Sequence, residues 1–219
     1  MSLARSVQDR LRRRARRAGL SLPQDLATGL TSYFEFLARW NARINLTAFD
    51  LSDPSDEAID RLLVEPLAAV QLLKLEPGYT IDIGSGSGSP AIPIRLMRPL
   101  AALTMVEAKT RKAVFLLEVA RHLNLTSVTV ETARFEHLLT RPEFHEGFDT
   151  LTIRAVRVES RVLLTLQAFL KPGGRILWFR TLGRGAGNVD APYPLVLDRS
   201  LVLLEERGSG LVVLKKDAR

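Results

Sequence analysis

Asp82, Gly84, Gly86 and Gly88 stand at alternate positions in the run Thr80-Ile81-Asp82-Ile83-Gly84-Ser85-Gly86-Ser87-Gly88. Glycine lets a backbone turn tightly and approach a ligand with no Cβ in the way. A dinucleotide site uses G-x-G-x-x-G, whose last glycine packs helix on strand beside a pyrophosphate. Here the spacing is G-x-G-x-G, and an acid precedes the first glycine by two residues. That carboxylate disfavours a diphosphate and favours a ligand end that is cationic or rich in donors. S-adenosyl-L-methionine, with an amino group and a sulfonium, fits. The plain alternative is a strand–helix turn that binds nothing.

Further candidates follow the later apolar runs. Val106-Glu107-Ala108 places a carboxylate where it can accept both hydroxyl protons of an adenosyl ribose. In Ala133-Arg134-Phe135-Glu136, the ring of Phe135 and the acid of Glu136 can frame an adenine, although a lone Phe is as readily core. Thr152-Ile153-Arg154-Ala155-Val156 bears on the reaction type. It lacks the Asp/Asn-Pro-Pro-aromatic run that holds an exocyclic base amine. With no cysteine in the chain, a pyrimidine C5 mechanism has no thiol nucleophile. Acceptors that already expose a lone pair remain, and guanine N7 is one. Such a reaction proceeds by positioning, without a general base. Arg154 then binds the cofactor carboxylate or the acceptor edge of the base; its alternative is a strand-end salt bridge.

These residues need a frame that gathers strand ends. From Tyr79 onward short apolar runs alternate with helical stretches: 80–83, 103–107, 128–131, 148–153 and 175–179 read as strands. Helices are expected from about Pro90, over 111–123, around 136–139 and over 158–170. Such alternation predicts a parallel, doubly wound sheet with ligands at its carboxyl edge. The runs 200–206 and 211–216, joined by Arg207-Gly208-Ser209-Gly210, read as a closing antiparallel hairpin. The fold class is therefore α/β, a Rossmann-like methyltransferase with a mostly parallel seven-stranded sheet and a C-terminal antiparallel hairpin. Gly183–Pro194 reads as a mobile surface loop.

Residues 1–75 read as an N-terminal helical extension and 76–219 as the cofactor domain. Leu26, Leu30, Phe34, Leu37, Trp40 and Ile44 form a helical stripe, with Ser21 and Gln24 at capping-box spacing ahead of it. A second helix starts near Ser55, and Pro66 is expected to kink or break it.

Charge is unevenly placed within the net +7. Arg5, Arg10, Arg12, Arg13, Arg14, Arg16 and Arg17 crowd the start, opposed only by Asp9. Such a cluster favours a polyanion through counterion release, with Arg12, Arg13, Arg14, Arg16 and Arg17 as RNA phosphate contacts. A solvated helix and a transit peptide are the alternatives. The arm is expected to lie outside the cofactor fold, so that a chain without residues 1–18 still folds. The absence of cysteine and of H-x-x-x-H spacing argues against a metal site. No apolar run has membrane-spanning length and no signal-peptide core is present. The expectation is a cytoplasmic monomer with no membrane contact.

Taken together, Trp40-Asn41-x-x-Ile44-Asn45-Leu46-Thr47, Asp82-Ile83-Gly84-Ser85-Gly86-Ser87-Gly88-Ser89-Pro90, Arg134-Phe135-Glu136 and Ile153-Arg154-Ala155 resemble the RsmG (GidB) family. The resemblance spans roughly residues 20–180. It implies an S-adenosylmethionine-dependent methyltransferase acting on guanine N7 of small-subunit (16S) ribosomal RNA. It places cofactor contacts on Gly84, Ser89, Glu107, Phe135, Glu136 and Arg154. Three departures fall where substrate is expected. Leu62-Leu63-Val64-Glu65-Pro66 replaces a His-x-x-Asp-Ser run, Arg180-Thr181-Leu182-Gly183 replaces a Lys-Gly pair, and the segment that follows is shorter. Arg180 thus enters as a substrate RNA contact. A methyltransferase of this fold with another acceptor, or an inactive RNA-binding relative, are the competing functions.

Overall fold

The computed structural model describes residues 3–73, 75–154, 158–181, 189, 191–204 and 208–218. Strands β1 (Tyr79–Ile83), β2 (Ala102–Val106), β3 (Val128–Glu131), β4 (Phe148–Arg154), β5 (Leu170–Thr181), β6 (Leu195–Leu204) and β7 (Ser209–Lys216) form one sheet. Their order is β3-β2-β1-β4-β5-β7-β6. The first five pair in parallel, and β7 runs antiparallel between β5 and β6. The expected fold class is the one observed. The order reverses between β1 and β4, which makes the carboxyl edge there the place for a ligand.

Helices α1 (Leu3–Arg17), α2 (Gln24–Ile44), α3 (Asp56–Ile59) and α4 (Glu65–Leu73) precede the sheet. Helices α5 (Ala91–Met97), α6 (Thr110–His122), α7 (Phe135–Leu138) and α8 (Ser160–Leu166) lie between its strands. Side chains alternate across β7: Leu211 and Val213 join one core, Val212 and Leu214 the other. The first core takes Val7, Leu11 and Ala15 from α1 together with Phe34, Leu67, Met105 and Leu177. Helix α1 is therefore not an appended arm. A chain lacking residues 1–18 would leave apolar surface of that core open to water.

Four local expectations are corrected. Pro23, not Ser21, caps α2, with no side-chain hydrogen bond. Pro66 does not break its helix, because a π-helical turn, Asp60–Val64, precedes it and shifts the hydrogen bonding by one residue. Strand β5 begins five residues earlier than expected, with Gly173 at φ +79° near the register shift against β4. Helix α8 ends at Leu166, where a 3₁₀ turn, Gln167–Phe169, leads directly into β5. Most of the Gly183–Pro194 loop, together with Ala155, Val156 and 205–207, lies outside the described residues. No described helix is long and apolar enough to cross a membrane.

Candidate active site

A cavity of about 950 Å³ opens at the carboxyl edge of the sheet. One part of its wall is the loop Gly84–Ser89. The backbone N–H groups of Gly84 and Ser85 both donate to the Val106 carbonyl, at 2.9 and 3.0 Å, which ties the loop to the end of β2. Gly84, Gly86 and Gly88 all have positive φ, which glycine alone adopts without strain. Their roles nevertheless differ. Gly86 lines the cavity, and a Cβ there would meet nothing nearer than the Gly84 carbonyl at 3.6 Å. A side chain would therefore fill ligand space. Gly88 faces inward, where a Cβ would lie 2.5 Å from Ile92 Cδ1. It serves packing, and it is not among the residues that line the cavity, although it was expected among the cofactor contacts.

Glu107 lines the cavity beside Gly86. Its Oε2 accepts from Gly86 N–H at 3.0 Å and its Oε1 from Lys109 N–H at 2.8 Å. A carboxylate has about four lone-pair sites, so two bonds fix its orientation and leave acceptor capacity toward the cavity. This donor and acceptor set, with the open position at Gly86, fits an adenosyl ligand. Asp82 lies one layer deeper and does not reach the cavity wall. Its Oδ1 accepts from Thr152 Oγ1 at 2.5 Å, while Oδ2 is buried with no hydrogen-bond partner among the described residues. Burial pushes its carboxyl up to about 6, opposed by the Thr152 hydrogen bond. Ser89 lines the cavity but gives its hydroxyl proton to the Leu62 carbonyl at 2.9 Å.

Arg154, at the end of β4, is held from several sides. Its Nη2 donates to Glu65 Oε2 at 3.0 Å, its Nη1 donates to the Arg61 carbonyl, and its guanidinium lies 4.6 Å from the Phe179 ring centroid. Glu65 is 1% exposed. Burial raises the Glu65 carboxyl against the pull of Arg154, and burial lowers the Arg154 guanidinium against the pull of Glu65. Arg154 thus makes the salt bridge foreseen as its alternative and still lines the cavity. Glu65 stands in the run that departs from the family pattern; it is the residue that orients Arg154.

The structure adds residues that the motifs did not identify. Trp178 and Phe49 line the cavity, and Arg180 stacks over Trp178 at 4.6 Å. Arg61, Lys109 and Lys112 join Arg154 and Arg180 as lining cations. Position was the available signal, because Trp178, Phe179 and Arg180 are consecutive at the carboxyl end of β5, where ligands of such a sheet sit. Ala108 and Glu136 are exposed and Phe135 is half-buried; none of the three lines this cavity. They stand just beyond the ends of β2 and β3.

The arginines of α1 do not line the cavity either. Arg14 is 5% exposed, with Nε and Nη2 donating to the two carboxylate oxygens of Asp60 at 2.8 and 2.6 Å. That fork ties α1 to the π-helical turn and removes Arg14 from the expected phosphate contacts. Arg13, Arg16 and Arg17 are exposed, while half-buried Arg12 donates to Gln24 Oε1. Among the described residues no group of three His, Cys, Asp or Glu side chains is arranged to hold a metal.

Residues 27–184 match the sequence profile of the GidB family, described as rRNA small subunit methyltransferase G. Two curated relatives carry the name ribosomal RNA small subunit methyltransferase G. That of Syntrophotalea carbinolica is 34% identical over 78% of this chain and 76% of its own length. That of Roseiflexus castenholzii is 34% identical over 77% of this chain and 71% of its own. Among solved structures, an S-adenosylmethionine-dependent methyltransferase from Aquifex aeolicus superposes with a TM-score of 0.54 at 15% identity, covering 72% of this chain and 93% of that one.

Proposed function

The chain belongs to the rRNA small subunit methyltransferase G family, and from that premise we propose that it methylates guanine N7 of small-subunit ribosomal RNA. The observation that carries the reading is the cavity itself. It joins a glycine loop and an oriented carboxylate, Glu107, to a wall of cations and aromatic rings. The cofactor, S-adenosylmethionine, supplies an electrophilic methyl group on sulfur.

Glu107 accepts from the ribose hydroxyls with the lone pairs that Gly86 and Lys109 leave open. Gly86 lets the loop backbone approach the ligand. Arg154, oriented by Glu65, presents positive charge to the cofactor carboxylate or to the acceptor edge of guanine. The N7 lone pair needs no deprotonation before it attacks. Glu107 is the one carboxylate among the described lining residues, and its role here is binding rather than proton transfer. Trp178, Phe49 and Arg180 offer stacking surfaces for a base taken out of its RNA stack, and Lys109 and Lys112 are placed for phosphates. Under this reading the protein works as a monomer in the cytoplasm on the small ribosomal subunit. Residues 76–219 carry the cofactor, and the helices before them present the exposed arginines of α1 to RNA.

The test is methyl transfer to small subunits isolated from cells lacking this protein, followed by mapping of N7-methylguanine through chemical strand cleavage. One new N7-methylguanine is expected. Transfer to another atom, or none by protein that binds S-adenosylmethionine, would overturn the reading. Glu107→Gln removes one acceptor oxygen and should weaken adenosyl ligands by about 1–3 kcal/mol, read by calorimetry.

A further inference from the structure

Helix α2 touches both walls of the cavity, through two side chains eight residues apart. Near its middle Tyr33 is fully buried and donates its O–H to the Ser87 carbonyl at 2.8 Å. Ser87 belongs to the glycine loop and lines the cavity. Burial pushes the Tyr33 phenol far above its ordinary range, so it remains an O–H donor wherever the protein is folded. At the last turn Asn41 Oδ1 accepts from the N–H groups of Leu46 and Thr47 at 2.7 and 2.9 Å. Its Nδ2 donates to the Phe49 carbonyl at 3.3 Å. Leu46, Thr47 and Phe49 also line the cavity.

Residues 45–55 belong to no helix or strand. Their backbone groups therefore lack the ladders that hold the sheet, and the shape of loop 46–49 depends on side chains that reach it. Asn suits that task because one amide both accepts and donates. Asn45 ends α2 in the left-handed conformation, φ 49°, with its N–H on the Asn41 carbonyl, which turns the chain back toward Asn41. The two contact points are separated by eight residues, about 12 Å of helix rise. A rigid helix that grips both loops sets the distance between them.

We propose that α2 is the positioning element of methyl transfer: Tyr33 holds the loop that takes the cofactor, and Asn41 holds the loop that takes the acceptor base. The assignment rests on the function proposed above. The glycine loop and Glu107 are the cofactor wall. Loop 46–49, with the half-buried ring of Phe49, shares the remaining wall with Arg154, Trp178 and Arg180. Neither Tyr33 nor Asn41 touches the reacting atoms, so both are positioning residues.

A crossed pair of kinetic measurements tests this in the full-length protein. Tyr33→Phe removes only the hydroxyl. It should raise KM for S-adenosylmethionine and its calorimetric Kd about 5- to 20-fold, while KM for small subunits stays within twofold. Asn41→Ala should do the reverse, raising KM for small subunits with cofactor Kd unchanged. Asn41→Asp keeps the two accepting bonds and should recover part of the loss; it also carries the test if the alanine variant fails to fold. Variants that lower the melting temperature and kcat but move neither KM would overturn the proposal, as would a shift of the same KM by both. Failure of the parent protein to bind S-adenosylmethionine would instead overturn the underlying function.

Discussion

Gly86 and Gly88 look equivalent in sequence and do different work. Gly88→Ala adds a methyl group against Ile92 in a backbone of φ +87°. It should destabilise the fold by roughly 2–4 kcal/mol, from left-handed strain plus overpacking. Gly86→Ala meets open cavity, so only the strain of φ +49° remains, about 1–2 kcal/mol, while cofactor affinity falls at least tenfold. Urea unfolding alongside calorimetry separates the two; equal stability losses would contradict the assignment. Asp82 gives a pH signature. Its carboxyl is raised from 3.8 to about 6 by burial, so between those values the folded state keeps a proton that the unfolded chain has released. Its contribution to stability is therefore full near pH 4 and is lost as pH rises through 6. Asp82→Asn lacks that loss. The stability of the variant relative to the parent should rise by up to about 3 kcal/mol from pH 4 to 7. A constant difference across that range would show that Asp82 ionises normally.

At the scale of elements, α1 is a helix with two faces. Val7, Leu11, Ala15 and Arg14 point inward, and Arg13, Arg16 and Arg17 point to solvent. Composition alone treats these arginines as one cluster, but the 3.6-residue period divides them. Arg14→Met breaks a buried ion pair and should cost about 3–5 kcal/mol, seen as a lowered urea midpoint. The added Asp60→Leu change should recover much of that loss, because it removes the carboxylate left behind. A single Arg14 variant as stable as the parent would mean that the fork with Asp60 contributes nothing. The π-helical turn Asp60–Val64 belongs to the same arrangement. It places Asp60 under Arg14, the Arg61 carbonyl on Arg154 and the Leu62 carbonyl on Ser89.

Over the whole molecule, the helices before the sheet are part of the site rather than an addition to it. The π-helical turn among them supplies Arg61 and Leu62 to the cavity, the loop after α2 supplies Phe49, and their apolar faces share a core with α5, α6 and the sheet. RNA affinity should accordingly be probed by surface substitution and not by truncation. Replacing Arg16 and Arg17 with Gln should leave unfolding and cofactor Kd unchanged. It should flatten the log–log salt dependence of small-subunit RNA binding by roughly 0.7–0.9 per lost phosphate contact. An unaltered slope would make this face a solvated helix.

The sequence by itself determined the class of the fold. Hydrophobic alternation, glycine spacing and the closing hairpin are local, and local patterns survive reading one residue after another. It also marked Glu107, Gly86 and Arg154, because motifs at strand ends have fixed offsets from the strands that carry them. Tertiary structure decided what those side chains touch. Gly88 packs on Ile92, Arg154 pairs with Glu65 from 89 residues away, and Arg14 is buried against Asp60 from 46 away. The packing of α2 beside the sheet also brought Phe49 and Trp178 to one cavity. Such partners are chosen by chain crossings and by the need to neutralise buried charge, and neither leaves a periodic trace in the sequence.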